Sequence, residues 1–60
     1  MTAKEIEKEI IKDGWYLDRQ VGSHKHFKHP SKAGKVTIPQ HKGDLDKGTV
    51  NSIRKQAGLK

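Results

Sequence analysis

The spacing of hydrophobic residues along this chain changes several times, and each spacing predicts one element. Ile6 and Ile10 lie four residues apart, which is typical of the buried face of a helix. Thr2-Ala3-Lys4-Glu5 has the form of a capping box, and Gly14 is a residue that commonly follows a helix. We therefore predict a first helix over residues 3–12.

Three stretches in which apolar and polar residues alternate come next, as in strands with one buried face. They cover residues 15–20, 24–29 and 35–40. Glycine-containing turns separate them, at Val21-Gly22-Ser23 and at residues 31–34. The alternation predicts that the residues facing the core are Trp15 and Leu17, Phe27, Val36 and Ile38.

A second helix is predicted after Asp46, which suits the N-cap position. Leu45 and Val50 occupy the two positions of a hydrophobic staple across that cap. The buried stripe continues through Ile53 and Ala57. Gly58 and Leu59 then have the order of a Schellman motif, in which glycine ends the helix and the next apolar residue contacts its last turn.

The order α-β-β-β-α predicts a single α+β domain over residues 1–60. A three-stranded antiparallel sheet with both helices packed on one face is the simplest arrangement, and it matches the architecture of double-stranded-RNA-binding domains. The opposite face is then open. His24, His26 and Lys28 alternate with Phe27 and are predicted to lie on that open face.

Composition narrows the classes of function. The chain has 60 residues, of which 30% are hydrophobic, so we expect one thin core and no pocket for a large cofactor. It has no cysteine, which excludes disulfides and thiolate sites and fits the cytoplasm, where we expect the protein to act. No apolar run predicts a signal peptide or a membrane span. A net charge of +6 favours polyanionic partners, of which nucleic acid is the commonest.

Three of the four histidines lie in one segment, GSHKHFKHP, at residues 22–30. His24 and His26 could chelate a metal ion, but Lys25 and Lys28 would oppose it and no carboxylate lies between residues 19 and 43. We therefore predict no metal and no cofactor. A nucleophilic role for Ser23 is also disfavoured, because neighbouring side chains diverge on a strand.

Acid–base chemistry on RNA is the better option for His24. Imidazole can accept and donate a proton near neutral pH, and RNA supplies its own nucleophile, the 2′-hydroxyl. Lysines nearby could hold phosphates, and Gly22 would allow a close approach of the RNA backbone. The residues alone leave two alternatives open. The chain could bind RNA without cutting it, or it could bind an acidic protein.

Three segments carry a resemblance to a known family: DGWYLDRQVGSHKHFKHP, then KVTIP, then HKGDLDKGTVNSIRKQAGL. Together they resemble the HicA toxins of toxin–antitoxin modules over nearly the whole chain. The most specific parts are GSH followed by an aromatic residue and HP, and the final helix with KGT, SI and KQAGL. Lys25 departs from the family pattern, which often has a second histidine there.

The resemblance implies a double-stranded-RNA-binding-like fold and a metal-independent endoribonuclease that cleaves messenger RNA. It implies that the histidine of GSH, His24, is the single catalytic residue. It further implies inhibition by a HicB-type antitoxin that covers the histidine face. That antitoxin often also carries a DNA-binding domain, so any contact with DNA would be indirect, through the antitoxin. From the residues and the resemblance together, the expected RNA-binding residues are Gly22, Ser23, Lys25, His26 and Lys28.

Overall fold

Five elements follow one another in the predicted order. The structure, a computed structural model, describes residues 1–59. Its elements are α1 (Ala3–Lys12), β1 (Tyr16–Val21), β2 (His24–Lys28), β3 (Val36–Pro39) and α2 (Lys47–Gln56). The strands form one antiparallel sheet in the order β1-β2-β3. The α-β-β-β-α prediction is therefore confirmed.

The predicted helix caps are present. The backbone N–H of Glu5 donates to Thr2 Oγ1 at 3.2 Å, and the N–H of Thr2 donates back to Glu5 Oε1 at 2.8 Å, so the capping box is complete. At the end of α2, Gly58 has a φ of 72°, and the N–H of Leu59 donates to the carbonyl of Arg54 at 2.8 Å. These bonds satisfy backbone groups that a helix end leaves unpaired.

The core lies between the helices and the β2–β3 half of the sheet. Both helices pack against β3 and against each other. The buried hydrophobic residues are Ala3, Ile6, Ile10, Trp15, Phe27, Val36, Ile38, Leu45, Val50, Ile53 and Ala57. This set confirms the predicted inward positions except one.

Leu17 is the exception, with 49% of its surface exposed. Its register partner is the buried Phe27, so Leu17 lies on the predicted side of the sheet. It stays exposed because β1 is an edge strand that pairs only with β2, every one of its residues is exposed, and the helices pack against β3. A β-bulge follows Leu17 and changes the alternation from Arg19 onward.

The loop after β2 connects the sheet to the ends of both helices. Lys32 Nζ forms an ion pair with Asp13, the C-cap of α1, and donates to the carbonyl of Ala57, the C-cap of α2, at 3.0 Å. Trp15 Nε1 donates to the same Ala57 carbonyl at 3.3 Å. A lysine in this position also complements the negative ends of both helix dipoles.

Candidate nucleic-acid interface

The face of the sheet opposite the helices carries the candidate site. In β2, Phe27 is fully buried, whereas His24, His26 and Lys28 lie on the other face. The cross-strand register places Arg19 of β1 and Thr37 of β3 on either side of His26. The predicted open histidine face is therefore present in the fold.

His24 begins β2 directly after a two-residue turn. Gly22 has a φ of 58°, a left-handed value that glycine adopts without strain, and a Cβ there would meet nothing within 4 Å. The carbonyl of Ser23 accepts a hydrogen bond from the N–H of Gln40 at 2.7 Å, which fixes the turn against the end of β3. The His24 ring is exposed and has no hydrogen-bond partner within residues 1–59, so it is accessible to a substrate.

His26 is held more firmly than His24. It is half-buried, and its Nδ1 lies 3.0 Å from Thr37 Oγ1. It also lines a depression of about 480 Å³ on the open face. The residues that line this depression are Asp18, Arg19, Val21, His26, Lys28 and Lys35.

Positive charge predominates in the depression. Arg19, Lys28 and Lys35 contribute three cations, and Asp18 is the one carboxylate among the residues that line it. Asp18 Oδ2 lies 3.6 Å from Arg19 Nε and 3.9 Å from Lys28 Nζ. An anion such as phosphate would therefore be attracted to this surface.

Arg19 was missed by sequence analysis, because strict alternation in β1 places it on the core side. The bulge at Asp18 reverses the phase, and Arg19 then pairs with His26 on the open face. A single sequence carries no reliable signal for such a bulge. Two adjacent charged residues, Asp18 and Arg19, in an otherwise alternating strand are the one hint available.

Lys25 lies on the opposite face from His24. Its Nζ is 3.4 Å from Glu7 Oε1 of α1, and its side chain is 24% exposed. It also lines a separate groove of about 370 Å³ beside α1, together with the exposed His41. A contact between Lys25 and RNA stays a prediction, and it would need an RNA strand that passes around the end of the sheet.

His29 has a structural role. Its Nδ1 accepts from the backbone N–H groups of Ser31 and Lys32, both at 3.1 Å, so this nitrogen carries no proton. Nε2 therefore carries the proton and donates to the carbonyl of Asp13 at 2.8 Å. The ring also meets Trp15 edge-to-face, with centroids 5.2 Å apart. His29 thus connects the end of β2 to the end of α1.

Within residues 1–59, no three His, Asp or Glu side chains come together as a group that could hold a metal ion. None of the helices in this part of the chain is long and apolar enough to cross a membrane.

Comparison with known proteins assigns the family. The family model described as "HicA toxin of bacterial toxin-antitoxin" matches residues 3–59. The chain belongs to the HicA toxin family. A chain in a solved toxin–antitoxin complex from Streptococcus pneumoniae is 40% identical to this HicA toxin and has a TM-score of 0.83. The match covers 98% of each chain. No curated protein matches.

Proposed function

We propose that this HicA toxin is an endoribonuclease that cleaves messenger RNA without a metal ion, with His24 as a general acid or base. Its membership of a toxin family supports a harmful activity. The observation that carries the proposal is the exposed His24 ring beside the Gly22–Ser23 turn, on a face lined by cations. Arg19, Lys28 and Lys35 would hold the phosphates of the RNA.

The chemistry requires little from the protein. A neutral imidazole at His24 removes the proton of a ribose 2′-hydroxyl, and the resulting oxygen attacks the adjacent phosphorus. The open space around Gly22 allows the sugar–phosphate backbone to come close to this ring. Cations next to the phosphate stabilise the additional negative charge of the transition state.

We further propose that a HicB-type antitoxin inhibits the toxin by covering this face. The structural relative from S. pneumoniae belongs to a toxin–antitoxin complex. In the present chain, Tyr16 and Val21 of β1 are 51% and 57% exposed beside the basic depression. Apolar side chains surrounded by cations suit a partner surface that is partly apolar and partly acidic.

The first experiment compares the wild-type chain with His24→Ala on a synthetic messenger RNA. We expect cleavage by the wild type in EDTA and a loss of rate of about 100- to 10,000-fold in His24→Ala. His41→Ala is the matched control, because His41 is exposed on a loop away from the depression. Fluorescence of the buried Trp15 reports whether each variant is folded.

Three outcomes would contradict parts of the proposal. If His24→Ala cuts as fast as the wild type, His24 is not catalytic. If EDTA abolishes cleavage, the reaction needs a metal ion. If the wild type binds RNA and never cuts it, the chain is a binding module.

Binding of the antitoxin is tested by hydrogen exchange of the backbone amides. The HicB-type partner should slow exchange in β1 and β2 and leave exchange in α2 unchanged.

A further inference from the structure

We propose that His26 is a second catalytic residue, which protonates the leaving 5′-oxygen while His24 deprotonates the 2′-hydroxyl. This inference rests on the proposed ribonuclease function and replaces its single-histidine scheme with a pair. The two rings project from the same face of β2, two residues apart. On a strand this separation corresponds to about 6–7 Å between the Cα atoms.

The geometry of phosphoryl transfer favours two groups. The attacking and leaving oxygens lie roughly in line, on opposite sides of the phosphorus. One imidazole placed beside the attacking oxygen is therefore on the wrong side to protonate the leaving oxygen in the same step. Two imidazoles on one strand face, separated by two residues, can flank the phosphate from both sides.

The contact with Thr37 suits His26 to the role of proton donor. In the imidazolium form both ring nitrogens carry hydrogens. Nδ1–H then donates to Thr37 Oγ1 at 3.0 Å, and the Nε2–H is left for the depression that the ring lines. The half-buried ring is thereby held in one orientation, as a general acid must be.

The other histidines are not available for this step. Both ring nitrogens of His29 are already hydrogen-bonded, Nε2 to the Asp13 carbonyl and Nδ1 to two loop N–H groups. His41 lies in a different groove. Among residues 1–59, His26 is therefore the one histidine besides His24 that offers a ring nitrogen to the open face. The helices pack on the other side of the sheet, and Thr37 is the neighbour of His26 from β3. The ionisable groups that face His26 are Asp18 and Arg19 of β1, His24 and Lys28 of β2, and Lys35 of the loop after β2.

The reaction balances without a further reactant. The proton of the 2′-hydroxyl passes to His24, and the bond between the 2′-oxygen and phosphorus forms. The bond between phosphorus and the 5′-oxygen breaks, and that oxygen takes the Nε2 proton of His26. The products are a 2′,3′-cyclic phosphate and a free 5′-hydroxyl, and exchange with water restores the two histidines.

A substrate with an activated leaving group tests this role directly. In the modified RNA, sulfur replaces the bridging 5′-oxygen at one cleavage site, and the thiolate that leaves needs no proton. On normal RNA we expect His26→Ala to be about 100- to 10,000-fold slower than the wild type. On the sulfur-containing RNA it should approach the wild-type rate, whereas His24→Ala should stay slow on both substrates.

Thr37→Val keeps the shape of the threonine side chain and removes its hydroxyl. It should reduce cleavage of normal RNA less than His26→Ala does, and the sulfur substrate should restore its rate too. This variant, together with His26→Asn, keeps the test decisive if His26→Ala does not fold. An RNA that lacks the attacking 2′-hydroxyl cannot be cut, and the affinity of each variant for this RNA shows whether its RNA-binding surface is intact.

Two results would overturn the catalytic role of His26 and leave the ribonuclease proposal standing. One is a His26→Ala rate on normal RNA equal to that of the wild type. The other is an equal loss on both substrates, since a residue that only binds phosphate would behave in that way. If instead the wild type cuts neither substrate, the ribonuclease proposal itself fails.

Discussion

Arg54 of α2 donates two hydrogen bonds to the carboxylate of Glu9 of α1, from Nε to Oε2 at 2.8 Å and from Nη2 to Oε1 at 3.1 Å. This half-buried bidentate pair joins the two helices. The hydrogen bond from Arg54 lowers the pKa of Glu9 below its ordinary value, and Glu9 in turn raises the pKa of Arg54.

The pair should contribute a measurable coupling to stability. We expect Arg54→Gln and Glu9→Gln each to unfold at a lower urea concentration than the wild type. The double variant should be destabilised by less than the sum of the two, because each single change already removes the interaction. Trp15 fluorescence follows the unfolding, and Lys55→Gln on the same helix is the control. Strictly additive losses would show that the pair is not coupled.

Mild acid should destabilise the protein. Four carboxyl groups have a pKa held below its ordinary value mainly by a hydrogen-bond partner: Glu5 by Thr2, Glu9 by Arg54, Asp13 by Lys32 and Asp46 by Thr49. A carboxyl whose pKa is lower in the folded state adds stability that is complete above its unfolded pKa. The ordinary pKa values are 4.5 for Glu and 3.8 for Asp. That stability is lost as the pH falls further, through the pKa values that these carboxyl groups have in the folded state.

The measurement is the urea midpoint at a series of pH values. As far as these carboxyls are concerned, we expect a constant midpoint above about pH 5 and a steady fall below it. Glu9→Gln should show a shallower fall, because one of the titrating groups is gone. A wild-type midpoint that rises on acidification would contradict the lowered pKa values.

Two glycines with left-handed backbones should respond differently to alanine. A Cβ at Gly34, with φ 82°, would meet nothing within 4 Å, so Gly34→Ala should cost only the backbone strain of about 1–2 kcal/mol. At Gly14, with φ 107°, the Cβ would lie 2.7 Å from His29 Nε2. We expect Gly14→Ala to cost about 3 kcal/mol by urea denaturation, because it adds a forced contact to the strain. Equal losses would show that His29 moves aside freely.

His29→Ala should lower the free energy of unfolding by about 2–3 kcal/mol. It removes the bond to the Asp13 carbonyl, the acceptor for two loop N–H groups, and the contact with Trp15. At a temperature where it stays folded, its rate of RNA cleavage should match the wild type. His41→Ala is the control for stability. A cleavage defect in folded His29→Ala would place this residue in the reaction.

Lys28 should contribute to the salt dependence of RNA binding. If it contacts one phosphate of a single strand, Lys28→Gln should reduce the slope of log affinity against log salt by about 0.7. Lys55→Gln makes the same change in net charge on α2, away from the depression, and should leave the slope unchanged. Binding is measured by fluorescence anisotropy with uncut 2′-deoxy RNA. Equal slopes for Lys28→Gln and the wild type would remove Lys28 from the interface.

The same titration decides the predicted contact of Lys25. Its ion pair with Glu7 on the helix-covered side makes us expect a small change in slope for Lys25→Gln. A reduction as large as that of Lys28→Gln would mean that RNA reaches around the end of the sheet.

Local chemistry made most of the fold predictable. Thr2, Asp46 and Gly58 act within a few residues of their own positions, so the sequence contains everything that places the helix ends. Phe27 as the buried residue of β2 follows from alternation, and the same alternation places His24 and His26 on the opposite face.

What could not be predicted depends on distant parts of the chain. The exposure of Leu17 follows from the edge position of β1 in a sheet whose helices pack against β3. The position of Arg19 follows from the bulge after Leu17, and no local residue requires that bulge. The role of His29 depends on a carbonyl 16 residues earlier in the chain. The hydrogen bond between His26 and Thr37 joins two neighbouring strands, so the difference between the surroundings of His26 and those of His24 exists only in the folded protein.

The first residue of β2 and the residue that follows its end have different surroundings. His24 starts the strand, and His29, about 16 Å further along the chain, fastens the loop that reaches both helix ends. We expect substitutions near His29 to act mainly on stability, and substitutions near His24 to act mainly on the proposed cleavage of RNA. Under the proposed function, the lifetime of the folded toxin and its rate of RNA cleavage would then be set by different residues and could change separately during evolution.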